Sequence, residues 1–293
     1  MKRALLIGSN GQVGTEMVRL WRDTPGLQQA ELTGLTHADL EITDRTAVHE
    51  AIGRYLPDVI VNTAGFLRVD ECEGAPETAL AVNALGVKYL AEAAAKHESY
   101  VVQFSTDYVF DGNSEHPYCE TDVAAPLNAY GLSKLAGEQF LRYSLPDSHL
   151  IVRTSGVFGP AGSTNKGGNF IETMLRLAKA GRALRVVNDQ VFSPTYAPDL
   201  ARATLELIAA KARGVVHVSS TGTTTWHDFA AAAFDRAGLK PDLSPVSSLE
   251  YGSAAIRPLY SVLDNRRSIN LGVTPLRTWQ DALTAYMDAR TAS

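Results

Sequence analysis

The chain has 293 residues, 45% hydrophobic and 20% charged, an ordinary balance for one large domain or two intimate ones around a substantial core. Lys and Arg total 27 against 32 Asp and Glu, and the net charge of -5 with no basic stripe argues against a nucleic-acid surface. Two cysteines, Cys72 and Cys119, are too few for a disulfide framework and lack the paired spacing of a zinc site. Glycines and polar residues interrupt the amino-terminal apolar run too early for a signal peptide, and no stretch of about 18 apolar residues follows, so a cytoplasmic protein that engages no membrane is expected.

In chain order, Arg3 to Ile7 predict a short buried strand, followed by a glycine turn and a helix that begins near Gly11 and ends before Pro25. Further strands are predicted at 31–35, 58–61, 100–104 and 149–152, separated by helices near 45–55, 76–97 and 128–143. This alternation predicts an α/β fold of the Rossmann type, a doubly wound parallel sheet covered by helices on both faces. Past about residue 160 the alternation loosens, and the glycine-rich stretch GPAGSTNKGGNF leads to a helix near 170–180. Later helices are predicted near 197–211, 225–238 and 278–290. The expected division is an NAD(P)-binding domain over 1–160 and a smaller, mainly substrate-binding region over 161–293, interleaved so that part of the sheet can return to the first domain.

Gly8, Gly11 and Gly14 lie in GSNGQVG directly after the first strand, where missing side chains let the backbone approach a pyrophosphate at a helix amino terminus. Asn10, Gln12 and Val13 complete that candidate cradle. The second strand ends in Leu35, Thr36 and His37, where NAD-selective proteins often place a carboxylate on the ribose hydroxyls. The missing acid removes a repulsion against a 2'-phosphate and His37 is placed to contact one, so NADPH is the expected cofactor, with NADH left open. Asp39 and Glu41 follow closely as alternative partners for the adenosine, and Ile42 and Asn83 are the remaining candidate cofactor contacts.

Ligands of a doubly wound sheet lie beyond the carboxyl ends of its strands. NTAG at 62–65, with Thr63, Ala64 and Gly65, and STDYVF at 105–110, with Thr106 and Asp107, are therefore expected to face the pocket. YGLSK then places Tyr130 and Lys134 four residues and roughly 6 Å apart on one helix face. An ammonium there favours the phenolate, which makes Tyr130 the candidate general acid, with Lys134 keeping it acidic and holding the ribose while Thr106 orients the carbonyl. Taken singly, Thr106 and Asp107 read equally well as turn or cap residues; the ordered combination carries the assignment. No HExxH, cysteine cluster or GxSxG is present, so neither metal hydrolysis nor acyl transfer is supported.

Nearly end to end, the chain resembles the dTDP-4-dehydrorhamnose reductase family of extended short-chain dehydrogenase/reductases. GSNGQVG, PDVIVNTAGFLRVDECE, STDYVFDG, YGLSKLAGE, RTSGVFG, GGNFIETML, VVNDQVFSPTYAPDLA and AIRPLYSVLDNRR carry the resemblance. It implies a Thr106, Tyr130 and Lys134 triad that uses NADPH or NADH to reduce the 4-keto group of a dTDP-activated 6-deoxysugar, giving dTDP-L-rhamnose. It also implies a nucleotide-sugar pocket built from segments carrying Asn169, Asp189, Gln190, Thr195 and Arg257, a monomer or homodimer, and in some relatives magnesium at a dimer contact. No carboxylate cluster here argues for a metal.

Two departures bear on the sugar. Gly156 stands where the family commonly has tryptophan, and Phe192 where it usually has glycine, which moves bulk from one wall to another. A tryptophan restored at 156 is expected to tighten binding of the rhamnose precursor. Alternatives are a reductase or epimerase of another nucleotide-linked sugar, and a non-catalytic regulatory subunit similar to methionine adenosyltransferase beta.

Overall fold

The computed structural model describes residues 1–161 and 168–291, so positions 162–167 of the glycine-rich stretch lie outside the described residues. Its first half alternates as expected: β1 (Arg3–Ile7), α1 (Gln12–Leu20), β2 (Glu31–Leu35), α2 (Arg45–Tyr55) and β3 (Val59–Asn62). Next come α3 (Val69–Gly74), α4 (Pro76–Leu80), α5 (Gly86–Lys96), β4 (Tyr100–Thr106), α6 (Ala129–Ser144) and β5 (His149–Thr154). The second half contains β6 (Val157–Phe158), α7 (Phe170–Lys179), β7 (Leu184–Val187), β8 (Val191–Phe192), β9 (Thr195–Tyr196), α8 (Ala197–Ala209) and β10 (Gly214–His217). It closes with β11 (Thr224–Thr225), α9 (Trp226–Ala237), β12 (Leu243–Val246), α10 (Ser248–Tyr251), α11 (Arg266–Asn270) and α12 (Trp279–Thr291).

Six strands form one parallel sheet in the order β10-β5-β4-β3-β1-β2. Side chains of a strand alternate between faces, and in the central strands β1 and β3 both faces are buried, which is why these read as apolar runs. Leu6, Val61, Val102, Val152 and Val216 pack with α1 and α8 on one face. Leu5, Ile60, Val101 and Ile151 pack with α2, α5 and α6 on the other. A separate core joins α7, α9 and α12 around Phe158, Phe192, Phe229 and Tyr286. Among the described residues, no helix is long and apolar enough to cross a membrane.

The helix predicted over 76–97 is instead α4, one wide turn at Ala81–Leu85 and α5. That turn turns Asn83 inward, where its amide accepts from Phe66 N at 2.9 Å and donates to Phe66 O at 2.9 Å and Ser133 Oγ at 3.0 Å. One extra residue in the turn thus ties the loop after β3 to the helix that carries the reacting residues. Strand β10 had no prediction, because four residues after an alanine-rich helix give too short a periodic signal.

Candidate active site

Strands β4 and β5 end side by side with Thr106 paired to Thr154, so their last residues open on one crevice. Thr106 caps the short 3₁₀ turn that follows, its hydroxyl accepting from Tyr108 N at 3.1 Å. Asn128 caps α6, accepting from Gly131 N at 2.8 Å, and its amide donates to Ile256 O at 2.8 Å. The helix therefore starts at a fixed point, and Tyr130 in its first turn falls beside Thr106.

Burial pushes the Tyr130 phenol well above its ordinary pKa, a hydrogen bond with the Thr106 hydroxyl draws it back, and the Asp107 carboxylate and Tyr108 push it up again. Acidification by Lys134, expected from the spacing, is thus corrected: desolvation outweighs it. Lys134 is itself brought down to about 8 by burial, and the charge that opposes this is Glu138, one helical turn further on. The outcome suits a reduction, because a phenol that keeps its proton at neutral pH is the form that can donate it.

Asp107 is buried and pushed up to about 6 by desolvation, against hydrogen bonds from Ser261, Ser155 and Thr106 that favour its charged form. Ser261 Oγ and Ser155 Oγ donate to one oxygen at 2.6 and 2.7 Å, and Thr106 Oγ1 donates to the other at 3.0 Å. A carboxylate cannot donate, so with Asp107 ionised the bond between them is donated by the Thr106 hydroxyl. No local pattern marks Ser155 or Ser261, which reach the carboxylate from the end of β5 and from a distant loop. For a raised carboxyl pKa the native state takes up its proton first, so stability is gained as pH falls from about 6 toward 4 and lost on the way back. Asp107→Asn removes this dependence. Denaturation at pH 4 and pH 7 is expected to show wild type gaining on the variant by about 2–3 kcal/mol at the lower pH; parallel curves refute the buried charge.

The glycine loop leaves an anion site at α1. Gly8 has φ +79°, and a Cβ at Gly14 would lie 2.3 Å from Gly8 O, so neither position accepts a side chain. Gly11 precedes the helix without a side-chain cap, whereas α2, α6, α7 and α9 are capped by Asp44, Asn128, Asn169 and Thr225. The first amides of α1, at Gln12 and Val13, are thus left for an external anion, which fits a dinucleotide pyrophosphate. Asn10 stands exposed at the turn. Thr63 Oγ1 is 2.9 Å from both Ile7 O and Gly8 O, and Ala64 N donates to Asn62 Oδ1 at 3.1 Å, so NTAG braces the loop. Gly65 lets Leu67 and the Asn83 amide approach to about 3.0–3.1 Å of where its Cβ would be.

At the end of β2, Thr36 N and Oγ1 donate to Asp39 at 2.8 and 2.7 Å, and Glu41 accepts from Thr43 N and Oγ1. Both acids are therefore committed to folding their own loop. Exposed His37 pairs with Glu41 at 2.6 Å. Ile42 is buried in the core beneath this loop. Asn83, fully engaged by Phe66 and Ser133, supports the crevice from behind and presents no free amide to a cofactor.

A cavity of about 420 Å³ adjoins Tyr130. It brings together Thr106, Asp107, Tyr130, Gly156, Gln190 and Arg257, all expected from the sequence. Three others, Asn169, Thr195 and Asp189, fall elsewhere. Asn169 caps α7 through Glu172 N at 3.0 Å and donates to Gly159 O and Tyr286 OH, so it builds the second core. Thr195 is fully buried on β9 and donates to Ser193 O. Asp189 holds Ser248 N and Oγ and so fastens α10, while Gln190 reaches Ser248 Oγ at 2.8 Å.

Sequence reasoning named Arg257 but missed the carboxylate it pairs with, and missed the second charged pair at the cavity altogether. Arg257 makes a bidentate pair with Asp70 at 2.7 and 3.1 Å and bonds Tyr108, while Arg185 pairs with Glu250. It also missed an aromatic wall in which Phe192 stacks on Trp226 at 4.0 Å between ring centres, with Phe170 behind at 4.7 Å from Trp226. Phe192 occupies the space beside Gly156: a Cβ there would lie 2.5 Å from the Phe192 ring, and Gly156 has φ +51°. The expectation that tryptophan at 156 tightens substrate binding is therefore corrected, because the wall it would form is already filled.

The family model described as RmlD substrate binding domain matches residues 1–292. The chain is 39% identical to the dTDP-4-dehydrorhamnose reductase of Streptomyces griseus, over 98% of this chain and 93% of that one. It is 40% identical to a dTDP-4-keto-6-deoxy-D-glucose reductase of Streptomyces niveus, over 96% and 95% respectively. The crystal structure of the dTDP-4-dehydrorhamnose reductase from Bacillus anthracis, in complex with NADP, superposes with a TM-score of 0.91 at 34% identity, covering 99% of this chain and 100% of that one. Matched by that family model and by these relatives from end to end, the chain belongs to the RmlD substrate-binding domain family, alongside the dTDP-4-dehydrorhamnose reductases.

Proposed function

We propose that the protein reduces the 4-keto group of a dTDP-activated 4-keto-6-deoxysugar, taking dTDP-4-dehydrorhamnose to dTDP-L-rhamnose, with NADPH preferred and NADH as the second choice. The observation that carries this reading is the half-buried Tyr130 phenol set against Thr106 at the edge of an aromatic-walled cavity. NADPH, when bound on the α1 amides, supplies the hydride. Tyr130 gives its proton to the oxygen that becomes negative, and Thr106 holds that phenol in line until the substrate oxygen takes its place. The charge of Lys134 favours the phenolate left behind. Residues 1–160 hold the cofactor and 161–293 mainly the sugar nucleotide, in a cytoplasmic monomer or homodimer whose two cysteines stay as thiols.

Arg257 and Arg185 supply cations at the cavity mouth of an acidic protein, which suits a diphosphate. Each must give up its carboxylate partner to meet the substrate. Arg257→Gln is expected to raise KM for the sugar nucleotide about 10–100-fold with little change in kcat, the equivalent of one charged hydrogen bond or two. An unchanged KM removes Arg257 from carrier recognition. The direct test is NADPH consumption with the dTDP-linked keto sugar, with the product's stereochemistry identified. A second reading, another dTDP-4-keto-6-deoxysugar as the preferred substrate, is favoured by the Phe192 wall; a faster rate with that sugar selects it.

A further inference from the structure

We infer that Glu138, clamped by Arg153 and Ser105 behind the reacting pair, is a positioning residue that keeps the ammonium of Lys134 charged during turnover. The inference rests on reading Tyr130 and Lys134 as the reacting pair. Tyr130, Lys134 and Glu138 follow at four-residue intervals and so share the inward face of α6. Glu138 is 0% and Lys134 5% exposed. A carboxylate so deep is costly unless several donors hold it. Arg153 donates to it through Nε at 2.9 Å and Nη2 at 2.7 Å, and Ser105 Oγ donates to the same oxygen as Nε.

Those donors come from the two strand ends that build the crevice, since Ser105 immediately precedes Thr106 and Arg153 immediately precedes Thr154. Arg153 is further fixed over the Phe110 ring at 5.2 Å, so the clamp cannot swing toward Lys134. Lys134, Glu138 and Arg153 together leave one positive charge. Among the described residues no hydrogen bond engages the Lys134 ammonium, so no other partner holds that charge in place. Other groups presented to this face are Cys72 of α3, Asp107 and Tyr108 of the turn after β4, and Arg153 and the buried His149 of β5, the last of which feels the Glu138 charge. Glu73 bonds Ala129 N, and Lys88 of α5 lies over Phe140 and pairs with Glu92, all on the outer part of α6. Glu138 is the one carboxylate that opposes the loss of the Lys134 proton.

The test compares Glu138→Gln with the Glu138→Met/Arg153→Met double variant, which removes both charges and leaves neither partner stranded. In kcat/KM profiles for NADPH-dependent reduction, the alkaline midpoint is expected to fall by about one pH unit or more in Glu138→Gln, a tenfold weaker hold on the proton, and by less in the double variant. A second readout needs no cofactor. A buried ammonium costs stability until it sheds its proton, so the melting-temperature gap between Lys134→Met and its parent is expected to close as pH rises through about 8. In the Glu138 backgrounds it closes at lower pH by the same shift. Midpoints and gaps unmoved in both backgrounds overturn the role of Glu138, while Tyr130→Phe and Lys134→Met still abolishing turnover leave the parent reading standing. If Tyr130→Phe keeps its rate, the parent reading fails instead.

Discussion

Replacing Tyr130 by Phe is expected to lower kcat for reduction of the dTDP-linked keto sugar by about 10²–10⁴, the span of one positioned general acid. The substitution removes a single oxygen from a side chain enclosed by Thr106, Asp107 and Tyr108, whose ring meets that of Tyr130 edge-on at 6.0 Å. Nothing in the packing of α6 depends on that oxygen, so melting temperature and NADPH affinity should stay within error. The pH profile sharpens the test. Because burial raises the phenol, wild type holds its donor protonated throughout the neutral range, and activity should not fall between pH 6 and 7 for want of it. Stopped-flow measurement of the hydride step separates this from slow product release. A wild-type hydride rate in the Phe variant removes Tyr130 from the chemistry.

Gly156→Trp is expected to destabilise the protein by about 2–5 kcal/mol, combining the cost of a left-handed backbone with that of overpacking. Gly156 sits at φ +51° with the Phe192 ring where its side chain would go, and Phe192 is held against Trp226 on one side and Phe229 on another. The ring cannot step aside without opening the second core. Adding Phe192→Gly should recover part of the loss, a coupling of at least about 1 kcal/mol between residues in contact. Chemical denaturation of the four members of the cycle measures it. Strict additivity, or a single variant as stable as wild type, shows that the two positions do not share one space. Turnover on alternative keto sugars in the double variant then reports whether the aromatic wall selects the substrate.

Much of the sheet was legible because fully buried parallel strands need apolar runs, and Arg3–Ile7 and Val59–Asn62 fall where such runs stand. The Tyr130 and Lys134 pair was legible for a similar reason, helix spacing being fixed by geometry. Side chains that meet only through the tertiary fold were not. Ser261 reaches Asp107 across 154 positions and Arg257 reaches Asp70 across 187, and no local pattern marks either pair. Asn169 and Thr195 misled in the opposite way, since their segments were read correctly while their side chains turned into a cap and a core. The direction of the Tyr130 shift also failed, because spacing shows a neighbouring charge and says nothing of the water excluded around both groups.

The position of β10 at the edge of the sheet governs how the chain can be made. Val216 and Val218, with Leu200 to Ile208 of α8, cover the same sheet face as Leu6, Val61 and Val152. During synthesis that face is covered by α1 alone until about residue 218 has left the ribosome. A nascent chain halted near residue 160 would carry a half-covered greasy ribbon, a natural target for chaperones, and the cofactor half matures only when most of the polypeptide has emerged.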